Sequence, residues 1–160
     1  MTATGAAARS GGGGGASPSA SANPIACLVG TWKNIDQQIV DTSTGQPILF
    51  TGSGEMLTVN PDGTFTGTYH NVVLTANSGG VVYTVTLNGA DSGQGAVSGG
   101  QLVVSEESSD VTEVVTKDGV YAGTGKLTST SIEAGYSCSG NTFIETFAEG
   151  GGNHFIRLSS

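Results

Sequence analysis

Apolar and polar positions alternate one for one along much of this chain beyond residue 30, and that two-residue period is the signature of strands with one covered face. In GTFTGTYH, Phe65, Gly67 and Tyr69 fall on one side and Thr64, Thr66 and Thr68 on the other. VVYTVTLNG repeats the pattern, with Tyr83, Val85 and Leu87 on its apolar face. No stretch of a dozen residues carries a 3.6-residue apolar period, so helices are not expected. Turn signals punctuate the alternation at Pro61-Asp62-Gly63, at Gly99-Gly100, at Lys117-Asp118-Gly119 and at Gly150 to Gly152.

These signals divide the chain into about eight to ten strands joined in sequence by short turns. TWKNIDQQIVDT opens the series, and the hairpin around Asp62 follows. VVYTVTLNG comes next, then two short strands within GQGAVSGGQLVVSEES. DVTEVVTKDGVYAGTGKLTSTSIEA carries a further turn, and YSCSGNTFIETFAEGGGNHFIRL ends the chain as a strand, a glycine-rich turn and a closing strand. The connections are too short for the crossovers of a parallel sheet. An antiparallel meander of this length either leaves two free edges or closes on itself. The expected fold is therefore all-β, an antiparallel up-and-down β-barrel.

The N-terminal stretch MTATGAAARSGGGGGASPSASANP lacks any apolar period and cannot bury enough surface to offset its ordering entropy. Residues 1–24 are expected to be a disordered Gly/Ser/Ala-rich tether, and residues 25–160 a single domain. A chain of 160 residues leaves room for one core and no second domain.

Thirteen acidic residues face five basic ones, Arg9, Lys33, Lys117, Lys126 and Arg157, giving a net charge of −8. Five scattered cations do not build a basic face, so nucleic acid is not an expected partner. No apolar run approaches the ~20 residues that span a bilayer, so no membrane span is expected in this chain.

Cys27 and Cys138 stand at the two ends of the region expected to fold. If those ends meet, the pair can close a disulfide, which requires an oxidising compartment. The alternative is two small buried thiols.

Catalytic patterns are thin. His70 and His154 have no neighbouring ligands at metal-binding spacing, and the chain holds no Gly-x-Ser-x-Gly, phosphate loop or Cys-x-x-Cys. Glu106, Glu107 and Asp110 form an acidic cluster that reads as a solvated loop rather than a calcium site. No catalytic residue, metal or cofactor is expected.

Gly30-x-Trp32 at the start of the first strand, the antiparallel meander and Arg157 in the last strand together resemble the calycins, the superfamily of lipocalins, fatty-acid-binding proteins and avidins. The resemblance covers residue 27 onward and implies that Trp32 closes the base of the barrel while Arg157 packs over its face. Tyr136 to Gly140, which reads Y-x-C-x-G, is similar to a segment of small bacterial lipocalin-like domains that are often exported. GTW-N and GTFTGTYHNVV look like avidin strands, but avidins hold biotin with several tryptophans and Trp32 is the only one in this chain. The nitrobindin branch holds ferric haem through one C-terminal His; His154 lies in that region, but the sequence around it does not resemble that branch.

The expected function is that of a non-enzymatic binding module, an exported lipocalin-like barrel holding a small apolar or amphipathic ligand. Leu57, Phe65, Tyr69, Tyr83, Leu87 and Phe143 are the candidate lining residues, and Glu145 and Arg157 are the charged residues on predicted inner faces. The alternative is a filled-core structural or interaction barrel without a ligand, displayed on its tether. The expected location is extracytoplasmic (secreted, periplasmic or tethered at the cell surface), with no export signal visible in this chain.

Overall fold

The computed structural model describes residues 25–41, 44–52, 54–127, 131–148 and 150–159, with the side chains of 106 and 107 excepted. The tether expected over residues 1–24 lies outside the described residues. Valine, threonine and aromatic side chains suit a pleated, half-covered surface, and the chain forms eleven strands and no helix among the described residues. They are β1 (Gly30–Val40), β2 (Pro47–Gly52), β3 (Met56–Val59), β4 (Thr64–Ser78), β5 (Val81–Ser98) and β6 (Gln101–Ser109). Then come β7 (Thr112–Lys117), β8 (Val120–Lys126), β9 (Ser131–Ser139), β10 (Thr142–Phe147) and β11 (Gly152–Ser159).

Every pairing is antiparallel, and most join strands adjacent in sequence. Three breaks account for the excess over the expected number of strands. β2 and β3 both pair with β1 and with β4, so they are two halves of one interrupted strand. In the same way β6 and β7 share β5, while β8 continues along β7 and β9 along β6. Hydrogen-bonded neighbours run from β1 through β11, β10, β9, β6, β5, β4 and β3, and β3 pairs with β1 again.

Two readings of strand extent are corrected. VVYTVTLNG and GQGAVS are one strand, β5, because β4 pairs with it along nearly its whole length. The segment YSCSGNTFIETF is two strands, β9 and β10, folded back at Gly140-Asn141. The turns at Gly79-Gly80, Gly99-Gly100 and Asp118-Gly119 have positive φ at both central residues, the geometry whose twist matches a two-residue hairpin.

The core is in two parts. One cluster joins Ile25, Leu28, Trp32, Leu57, Val59, Leu102, Phe143 and Phe155. The other joins Ile48, Phe50, Tyr69, Val72, Leu74, Ala76, Leu87 and Val111. A bulge in β4 between Tyr69 and Val72 lets the strand serve both clusters, because it shifts the inward positions from odd to even numbers. Asn71, at φ 48°, occupies the bulge, and its N–H donates to Asn88 Oδ1 at 2.8 Å.

Candidate functional site: a cavity between two apolar clusters

Trp32 is fully buried, and it anchors the first cluster. Its ring meets Phe143 edge-on at 5.7 Å, and Phe143 stacks on Phe155 at 5.1 Å. The indole N–H donates to the Leu28 carbonyl at 2.7 Å, which satisfies its one polar group and pins the 25–28 turn beneath β1. Arg157 is paired with Trp32 across β1 and β11, and its guanidinium carbon lies 4.0 Å from the ring centroid. The same guanidinium donates to the carbonyls of Gly140, Val29 and Cys27. Cys27 is disulfide-bonded to Cys138 of β9, with Cα atoms 6.1 Å apart. One disulfide and two hydrogen bonds, from Trp32 to the Leu28 carbonyl and from Arg157 to the Cys27 carbonyl, thus hold the 25–28 turn against β1, β9 and β11, and Arg157 also reaches the adjoining Val29.

Above this floor lies a cavity of about 140 Å³. Its apolar wall includes Ile25, Leu28, Leu57, Phe65, Phe143 and Phe155, and its polar wall is Glu55, Tyr69, Asp91, Glu145 and Asn153. A smaller cavity of about 100 Å³ adjoins it through Glu55, Tyr69 and Asn153, and extends to Val72, Leu74 and Leu87. Of the candidate lining residues, Leu57, Phe65, Tyr69 and Phe143 line the larger cavity and Leu87 the smaller. Tyr83 lines neither; it packs beside the second cluster with Lys117 Nζ 5.3 Å from its ring centroid, because the far ends of β5 and β7 run past both cavities.

Alternation alone misses most of the polar wall. Glu55 lies in the break between β2 and β3, where Gly54 approaches the Asn34 backbone so closely that a β-carbon would overlap it. Asp91 shares the inward parity of Leu87, a signal visible only once β5 is read as one strand. Asn153 lies two residues before the buried Phe155 and so shares its face. Asp91 Oδ2 accepts from the Tyr69 hydroxyl at 3.1 Å and Oδ1 from the Gly67 N–H at 3.1 Å. A β-carbon on Gly67 would overlap Asp91 Oδ1 and stand 2.7 Å from Glu55 Oε1, so both carboxylates lie over this residue. Across the circuit of pairings, Glu145 of β10 accepts from Asn153 Nδ2 at 2.9 Å.

Burial dominates the protonation of this wall. It raises the Asp91 carboxyl above the ordinary range, assisted by the Asp110 charge and opposed by the bonds from Tyr69 and Gly67. It raises Glu145 likewise, against the bond from Asn153. The Tyr69 hydroxyl is raised by burial first, then by the charges of Glu55 and Asp91, and stays protonated.

These directions predict a pH effect. A carboxyl with a raised folded value binds its proton more tightly folded than unfolded, so stability falls as pH rises from the unfolded value near ~4 through the folded one. Glu145→Gln removes that loss and keeps an acceptor for Asn153. The variant is expected to melt a few degrees above the parent at pH 7, about 2–4 °C for each 1 kcal/mol at this size. The gap should close towards pH 4; thermal melts across that range check it, and a variant that melts lower at pH 7 would refute the buried-charge account.

The histidines stand apart. His70 is exposed beside the β4 bulge, and His154 Nδ1 lies 3.3 Å from Asp36 Oδ2 at a half-exposed site. In the acidic stretch, Asp110 accepts from the Ala90 N–H, whereas the side chains of Glu106 and Glu107 lie outside those described. Among the described residues, no three His, Cys, Asp or Glu side chains gather as a metal cage requires, and no helix is long and apolar enough to cross a membrane. Comparison with known protein families, curated proteins and solved structures finds no match to this chain.

Proposed function

We propose that this chain is a non-enzymatic binding module, an exported calycin-like β-barrel whose interior holds one small amphipathic ligand. The observation that carries the reading is the cavity of about 140 Å³ between two apolar clusters, lined both by aromatic and aliphatic groups and by hydrogen-bonding ones. An apolar wall with a few convergent polar groups is the usual form of a small-molecule site. The unbroken circuit of strand pairings supports closure, and Trp32 beneath Arg157 supports the resemblance to calycins. The disulfide supports an oxidising, extracytoplasmic location.

The second cluster favours a rival reading, a filled structural barrel, because Ile48, Phe50, Val72, Leu74 and Val111 fill the far end with side chains. Toluene decides between them. A cavity of ~150 Å³ with apolar walls accommodates benzene, so ligand-observed NMR should detect saturable toluene binding. Val104→Phe, which places bulk in the cavity wall, should abolish that binding in a protein that still melts cooperatively. Failure of the folded parent to bind toluene or any other single-ring probe would leave the filled barrel as the answer.

A further inference from the structure

We propose that the cavity takes a small organic cation, an amine with one ring or a short apolar chain, its ammonium among Glu55, Asp91 and Glu145 and its apolar part against Leu57, Phe65 and Phe143. This inference rests on the cavity's being a ligand site and names the chemical class of the occupant.

The size comes from the cavity volume, about 140 Å³, which suits a single ring. The sign of the charge comes from the composition of the wall. Three carboxyl groups line the space, and Lys33, Lys117, Lys126, Arg157, His70 and His154 line neither this cavity nor its smaller neighbour. An anionic ligand would add a further negative charge at short range in a poorly solvated space, and a wholly apolar one would press hydrocarbon on carboxylates. An ammonium group answers both, supplying three N–H donors and a compensating charge. Geometry favours an organic cation over a metal ion. Glu145 stands on β10 across the circuit of pairings from Gly67 on β4, over which Glu55 and Asp91 lie, and no three carboxylates converge to ligating distance among the described residues. The apolar part of the lining would be wasted on an inorganic ion but covers the ring or chain of an amine. A bound ammonium would offset the burial that raises Asp91 and Glu145.

The test is calorimetric titration of the full disulfide-bonded chain at pH 7 with benzylamine, benzyl alcohol, toluene and benzoate, four single-ring probes that differ in head group. Benzylamine is expected to bind roughly tenfold or more tighter than benzyl alcohol or toluene, and benzoate weakest of all. Glu145→Gln, on one side of the cavity, and Asp91→Asn, on the other, should each weaken benzylamine roughly tenfold. Neither should weaken toluene, which also reports that each variant is folded. Val104→Phe should abolish binding of both. Equal affinity for toluene and benzylamine would overturn the cation assignment and leave the cavity reading intact. Failure of every probe would overturn the cavity reading itself. Benzylamine binding that survives Val104→Phe would place the cation on the acidic surface and also overturn the proposal.

Discussion

Trp32→Ala is expected to cost about 3–5 kcal/mol, the range for truncating a large buried aromatic, and to lower the melting temperature by roughly 10 °C or more for a domain of this size. The indole is fully buried and is the hub of its cluster. Its loss removes the edge contact with Phe143, the hydrogen bond to Leu28 and the surface on which Arg157 stacks. Neighbours cannot collapse into the space, because Phe143 is held by its stack on Phe155 and the 25–28 turn by the disulfide. Arg157→Ala should cost less, about 1–2 kcal/mol, since the guanidinium is half-exposed and its removal leaves the packing of Trp32 largely in place. Urea unfolding of both variants measures the difference. A Trp32→Ala cost below about 1 kcal/mol would mean that the floor is held from elsewhere.

Loss of the disulfide is expected to be comparably severe. Cys27 and Cys138 are separated by 111 residues, and closing a loop of that length in the unfolded chain removes entropy worth about 4–5 kcal/mol in the chain-entropy account. Measured losses run at about 2–5 kcal/mol, because reduced chains retain some structure. The Cys27→Ser/Cys138→Ser double variant should therefore unfold at markedly lower urea, a large fraction of the ~5–15 kcal/mol that holds a domain of this kind. The effect should reach the cavity as well. Ile25 and Leu28 form part of its floor, and the bridge is the one covalent tie between β9 and the turn that carries them. Toluene affinity should fall in molecules that remain folded. An unchanged urea midpoint would show that the turn is held in place without the bridge.

The all-β class and the places of most strands and turns were legible because each depends on local information. Alternation over GTFTGTYH and glycine at positive φ in the turns need nothing beyond neighbouring residues, and the structure has β4 and those turns where the pattern puts them. The pairing of Trp32 with Arg157 and of Cys27 with Cys138 joins residues near opposite ends of the domain, and the resemblance to calycins together with the cysteine arithmetic indicated both.

The polar wall was decided by tertiary structure. A one-residue bulge at His70-Asn71 reverses which face of β4 turns inward, so Tyr69 and Val72, three apart, lie in one cluster. Parity counted along the sequence cannot register an extra residue whose place is set by the partner strand. Glu55 turns inward because β2 and β3 break where Gly54 meets the backbone of Asn34, a contact between strands that only the sheet creates. Glu145 alone among the three carboxylates was marked by alternation. Asp91 and Glu55 came to face the same space as Glu145 through pairing across β3, β4 and β5, because strand register and not strand propensity brings carboxylates distant in sequence into one cavity.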